Sequence, residues 1–181
     1  MRLFVALEVP EPWREAARAA VEALPVEVRT WLRPERPERL HVTLWFIGEY
    51  PEAGVARLRT VLDEYVGSVD LVMELRAAGT FGGSVVWLGV QSEDLDGLVG
   101  RVEQAMATAG VAPRDEAFTG HMTIARARRR LDARQRRELA AALRSLPAPP
   151  RSPVRVRSAT LFESTQERGV SIYRALHRTG S

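Results

Sequence analysis

The pattern His-x-Thr-[Leu/Ile] occurs twice in this chain, as His41-Val42-Thr43-Leu44 and as His121-Met122-Thr123-Ile124. In each copy apolar and polar residues alternate, which is the two-residue period of a half-buried β-strand. Side chains two apart leave a strand on one face. His41 with Thr43, and His121 with Thr123, therefore each set an imidazole beside a hydroxyl, while Val42, Leu44, Met122 and Ile124 turn toward a core. An in-line displacement at phosphorus needs a base for the attacking oxygen, an acid for the departing oxygen and donors for the non-bridging oxygens. Two histidines can hold opposite protonation states at one pH, and two threonine hydroxyls can donate to phosphoryl oxygens. A lone His-x-Thr reads as a structural histidine. Two copies, using two of the three histidines in the chain, point to one shared site for phosphodiester chemistry without a metal ion.

Composition narrows the alternatives. The chain has no cysteine, which removes disulfides, thiolate chemistry and cysteine-based zinc sites. It has no lysine, so no lysine nucleophile or phosphate ligand. Neither His-x-His nor His-Glu-x-x-His is present, which disfavours a zinc hydrolase, and no metal or cofactor is expected. All 26 basic residues are arginine, hence a pI near 10.1 at a net charge of only +3. Residues 1–113 carry a net −6 and residues 114–181 a net +9. A basic C-terminal third suits a polyanionic partner, although a run such as Arg128-Arg129-Arg130 also reads as a solvated face. No apolar run reaches membrane-spanning length, and the apolar segment after Met1 is short for a signal peptide, so a cytoplasmic monomer with no membrane partner is expected.

The elements that must position the motifs follow from periodicity. Arg2 to Val9 alternates as a strand; Pro10 and Pro12 open a helix carried by Trp13 to Leu24; Trp31 to Pro37 is a loop into the first motif strand, which Gly48 ends. A helix over Pro51 to Tyr65 and a strand over Val69 to Arg76 come next. Gly79 to Ser84 is a hairpin turn into the strand Val85 to Val90, and lacks the lysine of a phosphate-cradling loop. Ser92 is the expected N-cap of a helix over Leu95 to Ala109, stopped by Gly110. The second motif strand spans Phe118 to Arg126, and Asp132 caps a helix over Ala133 to Leu146. After a proline-rich connection, strands over Val154 to Phe162 and Val170 to His177 flank a hairpin loop at Gln166 to Gly169. His177 reads as an exposed tail residue. Each motif strand falls between helices, roughly 80 residues apart, which suggests a duplicated unit and a mixed α+β architecture around a cleft.

Further stretches join the motifs in one resemblance: Arg2-Leu3-Phe4-Val5-Ala6-Leu7, Trp45-Phe46-Ile47-Gly48-Glu49, Val86-Trp87-Leu88-Gly89-Val90, Ala125-Arg126, and Leu161-Phe162-Glu163-Ser164 followed by Gly169 and Tyr173. In these residues, nearly end to end, the chain resembles the two-histidine phosphoesterase superfamily and within it the RNA 2',3'-cyclic phosphodiesterases, also called 2'-5' RNA ligases. The resemblance implies an α+β fold, a single domain over residues 1–181 with two pseudo-symmetric lobes, each an antiparallel-rich β-sheet with outer helices, around a central cleft. It implies opening of a terminal 2',3'-cyclic phosphate on RNA to a 2'-phosphate, and in some members reversible 2'-5' joining. His121 would then be the base for water and His41 the acid for the 3' oxygen, with Thr43 and Thr123 on phosphoryl oxygens. Arg126 would bind phosphate, although strict alternation from His121 turns it away unless a bulge intervenes. Phe4 either stacks on a base or belongs to the core, and Tyr173 would line the cleft. Many members have proline where this chain has Gly120, a difference that bears on strand entry rather than proton transfer. Two alternatives stay open: a non-catalytic RNA-binding module, or the same chemistry on small cyclic nucleotides or 2'-5' oligonucleotides.

Overall fold

The computed structural model describes residues 1–167 and 169–180. The first half of the chain gives β1 (Arg2–Glu8), α1 (Glu11–Glu22), α2 (Val26–Trp31), β2 (Leu32–Pro34), β3 (His41–Glu49) and α3 (Val55–Tyr65). The second gives β4 (Leu71–Phe81), β5 (Val85–Gln91), α4 (Leu95–Thr108), β6 (His121–Ala127), α5 (Ala133–Arg144), β7 (Val154–Val156), β8 (Thr160–Glu167) and β9 (Val170–Arg178). The strands form one antiparallel array in the order β7-β4-β5-β6-β3-β1-β8-β9, with β2 lying along β6. The two motif strands, β3 and β6, are its centre, and four-strand halves extend from them in opposite directions.

Local chemistry accounts for the elements. Pro10 and Pro12 start α1, and Trp13, Ala17 and Val21 at four-residue spacing give it one buried face. α5 opens with a capping box: the Asp132 carboxylate accepts the Gln135 N–H at 2.8 Å, and the Gln135 side chain accepts the Asp132 N–H at 3.2 Å. The helices cross between the halves. α1, which follows β1, packs behind β6, and α4, which follows β5, packs behind β3. Beneath the motif strands Val42, Leu44, Met122 and Ile124 are all buried. β1, expected to alternate, is buried on both faces from Leu3 to Leu7 because β3 and β8 flank it at the middle of the array.

Several expectations are corrected. The stretch read as a loop from Trp31 to Pro37 holds the end of α2 and all of β2, a three-residue strand that exists only because β6 pairs with it. Val154 to Phe162 is two strands rather than one: β7 edges β4, whereas β8 joins β1. β4 runs on to Phe81, so the hairpin turn tightens to Gly82, Gly83 and Ser84, with both glycines at positive φ (57° and 73°). Asp94, not Ser92, precedes α4, and it makes no side-chain cap bond. β6 begins at His121 rather than Phe118. In the last hairpin, pairing continues to Glu167 opposite Val170, and Arg168 of the expected loop lies outside the described residues. His177 is not an exposed tail residue: its Nε2 lies 2.8 Å from Asp63 Oδ1 and its side chain is 18% exposed.

Gly120 has a steric reason. Its carbonyl accepts the Val90 N–H at 2.9 Å, and a Cβ at this position would sit 2.4 Å from the Val90 carbonyl oxygen. That neighbour is backbone and cannot rotate aside. Gly120→Ala is expected to lose about 1–3 kcal/mol of stability through forced backbone displacement, read as a lower denaturant midpoint. Unchanged stability would mean that the entry to β6 is not held there.

Candidate active site

β3 and β6 share one registered pair, Val42 opposite Met122. Extended by one residue each way, that antiparallel register sets His41 across from Thr123 and Thr43 across from His121. Each imidazole thus neighbours the other motif's hydroxyl. All four side chains line one cavity of about 480 Å³. Beyond the pair, β6 takes β2 as its partner, with Arg33 opposite Arg126, so the two motif strands diverge and the cleft opens between them.

The imidazoles are held alike. His41 Nδ1 lies 2.6 Å from the Arg39 carbonyl, and His121 Nδ1 lies 2.7 Å from the Thr119 carbonyl, in both cases two residues back. A carbonyl only accepts, so Nδ1 carries the proton in each ring and Nε2 is left as the nitrogen that exchanges one. Aromatic rings brace both. Phe4 and Tyr173 stand 5.0 and 5.3 Å from His41, Tyr173 edge-on; Phe81 stands 4.9 Å from His121, also edge-on, and Trp87 6.3 Å away. Trp87 lies flat on Gly79, where a Cβ would come within 2.3 Å of the indole.

A bulge repeats in both motif strands. Relative to β1, β3 gains Leu44 between Thr43 and Trp45; relative to β5, β6 gains Ile124 between Thr123 and Ala125. An extra residue reverses the facing of everything after it. Leu44 and Trp45 are consequently both buried, as are Ile124 and Ala125, and the next residues, Phe46 and Arg126, return to the cleft face. The bulge is the condition under which Arg126 was expected to turn inward. Phe46, 55% exposed on the cavity wall with the Arg2 guanidinium 5.0 Å from its ring, was missed in the sequence for the same reason. Phe4 is 3% exposed, stacked on Phe162 and against His41, so it supports the imidazole from behind. Tyr173 lines the cavity.

The other unanticipated residue is Glu35. Its side chain is only 9% exposed, and it accepts from Arg126 Nε at 3.0 Å and pairs with Arg39 Nη2 at 3.2 Å. A carboxylate among arginines holds Arg126 side-on by Nε and leaves its terminal nitrogens for another acceptor. Burial pushes the His41 imidazolium down, the Arg39 carbonyl and Glu35 oppose that, and Arg126 and His121 add to it; the net shift is downward. A lowered pKa means that His41 gains its proton only below the usual histidine range. An anion between the imidazoles acts in the opposite sense. In a side-chain NMR titration His41 is expected to titrate below the usual range in the free protein and higher with inorganic phosphate bound; a pKa that phosphate leaves in place would separate His41 from the anion site.

Among the described residues no three histidine, aspartate or glutamate side chains cluster as metal ligands would, and no helix is long and apolar enough to cross a membrane. Comparison with known proteins adds context to this geometry. The sequence model of the 2'-5' RNA ligase superfamily matches residues 6–168. A protein of Archaeoglobus fulgidus named RNA 2',3'-cyclic phosphodiesterase is 34% identical over 135 residues, 72% of this chain and 74% of that one. The crystal structure of E. coli LigT complexed with 3'-AMP superposes with a TM-score of 0.76 at 26% identity, covering 98% of this chain and 95% of that one. A protein of Thermus thermophilus, 23% identical, shares the fold with a TM-score of 0.74 over 99% of this chain and 97% of its own.

Proposed function

Because this chain belongs to the 2'-5' RNA ligase superfamily, we propose that it is an RNA 2',3'-cyclic phosphodiesterase that opens the terminal ring to a 2'-phosphate by proton transfer between two histidines. The observation that carries the reading is the pair of imidazoles, one from each central strand, both tied at Nδ1 to a backbone carbonyl and lining one cavity. Water attacks phosphorus and gives its proton to His121 Nε2; the bond from phosphorus to the 3' oxygen breaks, and His41 Nε2–H protonates that oxygen. The product has a 2'-phosphate and a free 3'-hydroxyl. The Thr43 and Thr123 hydroxyls donate to the non-bridging oxygens, where negative charge grows. His41 is loaded for this step by its substrate: the anionic phosphoryl group, acting in the same sense as Glu35, counters the burial that disfavours the charged ring. If a 5'-hydroxyl of RNA takes the place of water, the same exchange of protons forms a 2'-5' bond, and the reaction runs back by the reverse path.

His41→Ala and His121→Ala are each expected to lower kcat by about 10²–10⁴, the usual worth of one proton-transfer group, with the fold retained and turnover of the native enzyme undiminished by chelator. An oligonucleotide whose departing 3' oxygen is replaced by sulfur needs no acid. It is expected to restore turnover to His41→Ala and not to His121→Ala; restoration in the other variant would exchange the two roles. An RNA-binding module without activity would release no product from any cyclic phosphate end.

A further inference from the structure

Two cavities of unlike charge adjoin at the motifs. The cavity that holds both motifs is walled by Arg2, Arg33, Arg39 and Arg126 against one carboxylate, Glu35. A second cavity, of about 620 Å³, meets it at Thr43, Phe46 and His121 and carries Arg114 against Asp115 and Glu116. Arg114 is already committed there: it donates to the Leu44 carbonyl at 3.2 Å and lies 4.1 Å over the Trp45 ring. An RNA end that presents its cyclic phosphate to the histidines trails a polyanionic strand, for which the first cavity is the more basic exit.

Within that exit one rung is unusual. Arg33 on β2 and Arg126 on β6 are direct cross-strand partners, an arrangement in which like charges repel. Glu35 engages Arg126 through Nε, while Arg33 has no ion pair among the described residues. The rung lies three residues along β6 from Thr123, about 10 Å at the usual rise, which one arginine side chain and one sugar-phosphate unit cover together. Resting on the reading of the site as a cyclic phosphodiesterase, we propose that the Arg33–Arg126 rung binds the internucleotide phosphate on the 5' side of the terminal nucleotide, so that the enzyme selects RNA ends over cyclic mononucleotides. A bridging phosphate relieves the repulsion and occupies the terminal nitrogens that Glu35 leaves open.

Three substrates isolate the charge: a nucleoside 2',3'-cyclic phosphate, a dinucleotide ending in one, and that dinucleotide with a neutral methylphosphonate linkage. The native enzyme is expected to favour the charged dinucleotide by about tenfold or more in kcat/KM, on the scale of a charge-assisted hydrogen bond, and to treat the neutral dinucleotide like the mononucleotide. Arg33→Gln is expected to lose that preference and to flatten the slope of log kcat/KM against log salt by about one for the dinucleotide, while hydrolysing the mononucleotide at the native rate. Equal rates on the charged and neutral dinucleotides, or a full preference in Arg33→Gln, would overturn the subsite and leave the enzyme standing. Failure of the native protein to open any of the three would overturn the proposed reaction, and the subsite with it.

Discussion

A ladder one rung wide holds the two histidines together. Val42 and Met122 are wholly buried and directly opposed, and His41 and His121 are the residues immediately before them. More pairing between β3 and β6 would close the space in which a substrate sits; less would leave the imidazoles on unconnected strands. Their spacing is therefore set by the packing of two apolar side chains that face away from the chemistry. Protein interiors resist deformation because they are densely packed, and the site inherits that stiffness.

The likeness between the halves goes deeper than the repeated tetrapeptides. Each histidine is tied to the carbonyl two residues back, each has aromatic bracing, and each motif is followed by a bulge at the same place. The differences between the halves fit different tasks. Where the first motif turns a phenyl ring into the cleft at Phe46, the second turns a guanidinium there at Arg126. The surroundings of His41 include the Glu35 carboxylate with its two arginines. Related backbones thus carry a ring face on one wall and positive charge on the other.

The motif strands, most of the helices and the mixed architecture were legible because their periodicity is local. Alternation in His41-Val42-Thr43-Leu44 shows which side chains share a face, and it stops being informative at Leu44, where the bulge intrudes. A bulge comes from the fit between neighbouring strands and leaves no period of its own, which is why Phe46 escaped notice and the direction of Arg126 stayed open. β2 is invisible for a related reason: three residues cannot show a period, and their conformation comes from β6, some 90 positions away. With β2 goes Glu35, whose backbone N–H donates to the Ile124 carbonyl at 2.9 Å. The segment from Val154 to Phe162 reads as one strand by composition, yet its ends serve opposite halves of the array.

The crossing of the helices bears on how such a chain acquires its structure. With α1 seated behind β6 and α4 behind β3, neither half can hide its own apolar back from water, and a fragment cut between the motifs would expose the surface its missing counterpart covers. Contacts of such long sequence separation make for slow acquisition of the native state, since loops must close before burial rewards them. During synthesis the N-terminal half must wait for the C-terminal half to emerge, and the two histidines meet only once the whole chain has knitted together.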